Sequence, residues 1–207
     1  MAKVDIWPTV QDERKSLAAD LAGLNDEQWS TVSLCEAWTV RDVLAHMTAT
    51  AKITPASFFP KLIGSGFSFD RMQAKDIAAQ RGADPADTLR RFEDVIASRK
   101  RPPGPPLTMM GETVVHGEDI RRALGIPHVY PTPWLTQVAS FFAGSNLILG
   151  TKRRIAGVSL RATDADWAHG GGPDVSGPML SLLMAMTGRK AALGDLHGPG
   201  LDILRSR

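Results

Sequence analysis

The run Pro102-Pro103-Gly104-Pro105-Pro106 constrains the fold of this 207-residue chain more than any other feature. Proline lacks a backbone N–H and disfavours helical geometry in the residue before it, so this run cannot lie inside a helix. The sequence on both sides of the run carries apolar residues at helical spacing. We therefore predict a stiff connection that separates the helices before it from those after it.

Four amphipathic helices are predicted in the first part of the chain. The first spans residues 10–24, and the second begins at Thr39, which starts a capping-box-like motif. The third begins at Asp84-Pro85, an N-cap followed by proline at the first helical position. The fourth covers residues 108–124 and stops before Gly125. This pattern predicts a helical bundle.

The rest of the chain has a different pattern of apolar and polar residues. Residues 133–151 are apolar nearly all round and predict a deeply buried helix. Beyond residue 151, where we expect a domain limit, residues 155–161 alternate like a short strand and residues 178–187 resemble an apolar helix. Residues 196–204 are predicted as a second strand. A small α/β unit is therefore expected after the bundle.

Composition excludes several classes of partner. The 24 basic and 22 acidic residues are spread along the chain and give a net charge of +2, so we expect no nucleic acid or membrane partner. The single cysteine, Cys35, forms no internal disulfide. No targeting segment or apolar run of about 20 residues is found, which predicts a cytoplasmic protein. The sequence leaves the oligomeric state open.

Three residues are candidate metal ligands. Glu112 and His116 are four residues apart, so in a helix they share one face and can bind one ion. His46, on a different helix, can supply a third ligand, as happens in the cores of helical bundles. Two histidines and one carboxylate leave a coordination position open, which is typical of catalytic zinc sites. Spacing alone leaves the alternative of a solvated Glu112 and a hydrogen-bonded core His116.

Two acidic residues are candidates for a supporting role. Asp42 lies one turn before His46, and Asp119 lies three residues after His116. Metal-binding histidines usually donate their second ring N–H to a carboxylate or carbonyl group. We therefore predict that each of these aspartates accepts such a hydrogen bond.

Several segments resemble a known family. Residues 34–46, LCEAWTVRDVLAH, resemble the signature of the mycothiol-dependent maleylpyruvate isomerase family, within the DinB-like metalloenzyme superfamily. Residues 112–125, ETVVHGEDIRRALG, are similar to the family's second metal-bearing motif. Residues 160–167 and 182–189 resemble the small C-terminal domain of many members. The resemblance therefore covers nearly the whole chain.

The resemblance implies a fold and a site. The fold is a DinB-like four-helix bundle, residues 1–151, with a small α/β C-terminal domain, residues 152–207, and is mainly α. The metal ligands are His46, Glu112 and His116. Arg189 resembles an arginine that binds a substrate carboxylate, with a surface arginine at a helix end as the alternative.

The resemblance also implies a chemistry. Members with known activity use mycothiol, the low-molecular-weight thiol of actinobacteria, to isomerise maleylpyruvate or to transfer the thiol to an electrophile. We expect an enzyme with a divalent metal, zinc before nickel, iron or manganese, with mycothiol as cosubstrate and a small electrophilic substrate. Nothing in the sequence singles out maleylpyruvate. The alternatives are a non-catalytic metal-binding or small-molecule-binding stress or sensor protein, and a metal-dependent hydrolase.

Overall fold

The computed structural model describes residues 5–35, 37–146 and 149–207. Within them the protein is mainly helical with one small three-stranded sheet, which confirms the predicted fold class. The chain divides into two compact units, Met1–His128 and Val129–Arg207. A domain is a unit that can fold on its own, and compactness does not establish this. The domain limit predicted at residue 151 therefore stays a prediction.

The first unit contains seven helices among its described residues. They are α1 (Trp7–Leu21), α2 (Asp26–Ser30), α3 (Val40–Thr50), α4 (Pro55–Ile63), α5 (Phe69–Gln80), α6 (Pro85–Glu93) and α7 (Leu107–Leu124). The proline run lies between α6 and α7, as its sequence predicts.

Local capping explains where three of these helices begin or end. The Thr39 side chain accepts from the Asp42 backbone N–H, and the Asp42 side chain accepts from the Thr39 backbone N–H, so α3 begins with a complete capping box. The Asp84 side chain caps α6 just before its first-turn proline. Gly125 ends α7 in the left-handed conformation, at φ 68°. These boundaries confirm the predicted ones.

The core of the first unit lies between α1, α3, α6 and α7. Each of these four helices contributes buried apolar side chains to one cluster: Leu17, Leu21, Val43, Leu44, Met47, Phe92 and Ile120. Burying one such side chain stabilises a fold by about 1.5–3 kcal/mol. Packing of these four helices therefore fixes α3 against α7, the two helices that carry the candidate ligands.

The second unit combines helices with the small sheet. Its elements are α8 (Thr132–Ala143), α9 (Thr151–Arg154), β1 (Ser159–Ala162), β2 (Ala168–Gly170), β3 (Asp174–Gly177), α10 (Met179–Met186), a 3-10 helix (Lys190–Asp195) and α11 (Leu201–Arg205). The strand order is β2-β1-β3, antiparallel between β1 and β2 and parallel between β1 and β3. Leu160 lies opposite His169 and Val175 in this register.

The helix predicted over residues 133–151 is shorter in the structure. It ends at Ala143, and Gly144 follows as its C-cap. Leu147 and Ile148, which were part of the prediction, lie outside the described residues. Over the described parts of the chain, no helix is both long and apolar enough to span a membrane.

The strand predicted over residues 196–204 is wrong. His197 forms a bridge with Ser176 of β3, and the Gly200 N–H donates to the carbonyl of Asp174, but no ladder continues from them. Gly198, at φ +119°, turns the chain away from the strand direction, and Pro199 has no N–H to continue the pairing. Leu201 and Leu204, three residues apart, are then buried on one side of α11.

Candidate metal centre

His46 is positioned by the start of α3. The capping box at Thr39 fixes the first turn, and His46 follows two turns later on a helix whose neighbours Ala45 and Met47 are fully buried. The His46 side chain itself is partly exposed. The apolar contacts on both sides therefore hold the helix, while the imidazole stays at the edge of the core.

Glu112 and His116 both come from α7. They are separated by one turn, so their side chains lie on the same face of this helix, as the spacing predicts. The α7 residues around them are mostly buried, including Val114, Val115 and Ile120. Packing of α7 against α3 brings this face toward His46.

The Glu112 carboxylate lacks the partners that a buried carboxylate normally has. Part of the residue reaches the surface, but both carboxylate oxygens are buried and accept no hydrogen bond from any described residue. Burial raises the pKa of this carboxyl, while the charge of Arg14, the His116 imidazole and the neighbouring Thr113 hydroxyl oppose that rise. Buried polar groups are almost always hydrogen-bonded or bound to an ion, so an unpartnered carboxylate is a candidate ligand.

His46 and His116 lie next to each other. Their ring centroids are 4.9 Å apart and the rings meet edge to face, at 74°. Two imidazoles bound to one tetrahedral zinc ion, with Zn–N distances of about 2.0 Å, have centroids about 5 Å apart. The ring arrangement therefore fits two imidazole ligands of one divalent cation.

Trp38 covers this pair of rings. Its centroid is 4.9 Å from that of His46 and 6.1 Å from that of His116. The loop before α3 fixes the Trp38 backbone. The backbone N–H of Trp38 donates to the Cys35 carbonyl at 2.7 Å, and the Ser33 hydroxyl donates to the Trp38 carbonyl at 2.8 Å. The indole thus forms an apolar wall on one side of the site.

Asp119 supports His116 as predicted. Its carboxylate is 2.9 Å from Nδ1 of His116, and its side chain is fully buried. An N–H on Nδ1 that donates to this carboxylate leaves the Nε2 lone pair available as a ligand. Asp42 behaves differently, because its carboxylate bonds to Thr39 and pairs with Arg81 at 3.3 Å rather than contacting His46.

Arg14 was not among the predicted site residues. This residue of α1 is completely buried, and its Nη1 donates to the carbonyls of Val95 and Ser98 at 3.3 and 3.0 Å. Its charge acts on Glu112, and its Nε and Nη2 have no hydrogen-bond partner in the part of the chain that the structure describes. A signal was present in the sequence, since Arg14 occupies a place in the apolar stripe of α1 between Val10 and Leu17.

The structure does not bring all three candidate ligands, His46, Glu112 and His116, within reach of one metal ion. Among residues 5–35, 37–146 and 149–207, no three His, Cys, Asp or Glu side chains are near enough to one another to hold a metal ion. The structure brings His46 and His116 together and leaves the Glu112 carboxylate buried one turn away. The three-residue metal site therefore stays a prediction.

Arg189 belongs to the second unit, just after α10. It is 9% exposed, and its Nη1 donates to the Thr187 carbonyl at 3.0 Å. This burial does not match the alternative of a surface arginine. Its predicted role toward a substrate carboxylate stays a prediction.

Comparisons with known proteins give one family and one fold. Residues 10–104 match the family model described as the mycothiol maleylpyruvate isomerase N-terminal domain. This match includes His46 and ends before α7. Comparison of the sequence with curated proteins finds no match.

Two solved structures are similar to the chain. One is a crystal structure of the mycothiol-dependent maleylpyruvate isomerase, with a TM-score of 0.61 and 13% sequence identity over 93% of this chain and 91% of that one. The other is a histidine-to-alanine mutant of the mycothiol-dependent maleylpyruvate isomerase, with a TM-score of 0.62 and the same identity and coverage. At this identity the likeness concerns the fold, and it confirms the DinB-like architecture.

Proposed function

Residues 10–104 of this chain are a domain of the mycothiol maleylpyruvate isomerase N-terminal family, and on that premise we propose that the protein is a divalent-metal-dependent enzyme that uses mycothiol. Its reaction is S-transfer to, or isomerisation of, a small electrophilic substrate. His46, Glu112 and His116 hold the metal, with zinc as the expected ion. The two similar solved structures are described as mycothiol-dependent maleylpyruvate isomerase and its mutant.

The observation that carries this proposal is the Glu112 carboxylate. Its two oxygens are buried without a hydrogen-bond partner among residues 5–35, 37–146 and 149–207, on the same face of α7 as His116. A carboxylate left in this state costs folding free energy, and a cation bound beside it removes that cost. The adjacent pair of imidazoles supplies the remaining ligands such a cation needs.

The metal supplies one part of the chemistry when it is bound: a divalent cation favours the thiolate form of a thiol that coordinates it. The chain's own residues supply the rest. Asp119 orients His116 through Nδ1. Trp38 lies over both imidazoles and excludes water from one side of the site. Arg189 is proposed to bind a carboxylate of the substrate through its planar guanidinium.

A thiol-dependent turnover assay tests this function. The zinc-loaded protein is incubated with mycothiol and a panel of electrophiles that includes maleylpyruvate, and both thiol consumption and product formation are followed. We expect turnover that requires mycothiol, disappears in His46→Ala and persists in His169→Ala, which changes an exposed histidine of the second unit.

The same assay separates the alternatives. Binding of metal and thiol without any turnover, across the electrophile panel, would favour a sensor or stress-response binding protein. Product formed without thiol would favour a metal-dependent hydrolase, in which water is the nucleophile. Either result would overturn the proposed thiol chemistry.

A further inference from the structure

Helix α4 turns an apolar face toward solvent. None of its nine residues is buried. A surface helix normally directs polar side chains to water and apolar side chains to the core. In α4 the exposed residues within one arc of the helix are all apolar: Pro55, Ala56, Phe59, Pro60 and Ile63. The usual arrangement is therefore reversed in this helix.

The turn after α4 adds two exposed aromatic side chains, Phe67 and Phe69. The Phe67 backbone N–H donates to the Leu62 carbonyl at 3.0 Å, which places Phe67 beside the last turn of α4. Phe67 has φ 57° and is the one non-glycine residue with positive φ in the described part of the chain. A bulky side chain rarely adopts this conformation, and such strain is concentrated at functional sites.

The chain itself contributes little to the stability of α4. A helix shorter than about 12 residues is marginal in water unless its side chains pack on other elements. A capping box between Thr54 and Ser57 stabilises the first turn, but Pro60 lies inside the helix and has no N–H for its hydrogen bond. A partner on the exposed face would supply the packing that α4 lacks.

The exposed apolar area is that of a protein interface. Phe59, Ile63, Phe67 and Phe69, which we call the α4 surface, are 57%, 60%, 74% and 50% exposed. With 150–250 Å² for a large side chain, they present about 450 Å² to solvent. An interface that buries about 800 Å² on each partner is about 57% non-polar, which is again about 450 Å².

The charge of this segment favours a second copy of the chain over a lipid surface. Residues 53–69 contain one charged residue, Lys61, which lies on the side of α4 opposite Phe59 and pairs with Asp76 of α5. Two copies that meet through a neutral surface bring no like charges together. Helices that lie on membranes, in contrast, are rich in Lys and Arg on their polar face.

We propose that the α4 surface is the interface of a two-fold symmetric dimer of this chain. Phe59 and Ile63 are one turn apart on the exposed face of α4. When two α4 helices pack antiparallel about an axis between these positions, Phe59 of one copy contacts Ile63 of the other. Phe58 packs edge to face on Phe59, with centroids 5.5 Å apart, and holds that ring in place. None of these residues is a candidate metal ligand, so the dimer does not depend on the proposed function.

Sedimentation velocity of the full chain, from about 1 to 100 µM, tests the proposal. We expect a reversible equilibrium between monomer and dimer. Phe59→Lys should raise its Kd on the order of a hundredfold, because the interface contains the change twice. Val129→Lys is the matched control, since Val129 is an exposed apolar residue of the second unit, and it should associate as the unmodified chain does. Circular dichroism checks that each variant is folded.

A mixing experiment tests the antiparallel arrangement. Phe59→Lys and Ile63→Glu should each be monomeric alone and should form a dimer when mixed, because lysine of one copy then faces glutamate of the other. His46→Ala should associate as the unmodified chain does, so failure of the metal site and failure of this interface are distinguishable.

Three results would overturn the proposal. One is a monomer over the whole concentration range. The second is a dimer that persists in Phe59→Lys, which would place the interface elsewhere. The third is a monomer that floats with vesicles of phosphatidylcholine and phosphatidylglycerol in equal parts and loses this binding in Phe59→Lys, which would identify a lipid surface as the occupant.

Discussion

Replacing Glu112 by glutamine should make the metal-free protein more stable than the unmodified chain. With zinc bound, the variant should be the less stable of the two. Both oxygens of this carboxylate are buried without hydrogen bonds from the described residues, and burial raises its pKa despite Arg14, His116 and Thr113. The ionised group therefore costs folding free energy until a cation binds beside it. Glutamine keeps the size of the side chain and removes the charge.

The sign of the pH dependence follows from the raised pKa. The native state holds the Glu112 proton more tightly than the unfolded chain does. The cost is therefore absent below the ordinary carboxyl pKa, about 4.3, and grows as the pH rises toward the raised native value. Glu112→Gln should thus match the unmodified protein in acid and exceed it at neutral pH.

The magnitude can be estimated from the lost partners. A buried polar group without a hydrogen bond costs about 1–3 kcal/mol. For a chain of 207 residues, about 2 kcal/mol corresponds to a Tm higher by about 4–8 °C. Zinc at 100 times its Kd stabilises the unmodified protein by about 2.7 kcal/mol. The order of stability should therefore reverse when zinc is added.

Thermal unfolding at pH 7, with chelator and then with excess zinc, measures both effects. Glu118→Gln is the matched control on the same helix, because the Glu118 carboxylate accepts a bond from Arg122 Nε at 2.8 Å. That variant should lose stability under both conditions. If Glu112→Gln also loses stability in chelator, the Glu112 carboxylate is not an unpartnered charge and the reasoning is refuted.

Three further predictions test the surroundings of the site and the loop before α6. Asp119→Asn should weaken zinc binding about 10–100-fold in a competition titration, because it removes the charge that orients His116; unchanged affinity would contradict this role. Hydrogen bonds from Arg91, Ala83 and Arg90 lower the pKa of Asp87 to about 2. The unmodified chain should therefore be more stable than Asp87→Asn above pH 4, and this difference should fade as the pH falls toward 2. A constant difference in urea unfolding across that range would contradict the prediction. Gly82, at φ +72°, would place a Cβ 2.7 Å from the Asp87 carboxylate, so Gly82→Ala should cost about 1–2 kcal/mol in urea unfolding, whereas Gly23→Ala, with open space, should not.

Local rules explain the parts that the sequence predicts well. Thr39 and Asp42 are three residues apart, so their capping box follows from the sequence alone. The shared face of Glu112 and His116 follows from helical spacing in the same way. The proximity of His46 and His116 is a contact between two helices, which residue spacing within one helix does not predict. The family resemblance predicted it, whereas spacing alone had left open a hydrogen-bonded core role for His116.

Long-range packing explains what the sequence analysis missed. Arg14 is buried because the carbonyls of Val95 and Ser98, more than 80 residues away, accept its N–H groups. The spacing of apolar residues along the chain does not predict a hydrogen-bond partner so far away in the sequence. The strand predicted over residues 196–204 failed for a local reason, since Gly198 turns the backbone out of the sheet.

Metal content of the purified protein tests whether His46, Glu112 and His116 hold a metal ion. Elemental analysis after growth and purification with added zinc is compared for the unmodified chain, His46→Ala, Glu112→Ala and His116→Ala, with His169→Ala as the control. We predict about one metal per chain in the parent and the control, and loss of metal in each of the three ligand variants. A folded parent without metal, or ligand variants that keep all of it, would contradict the account.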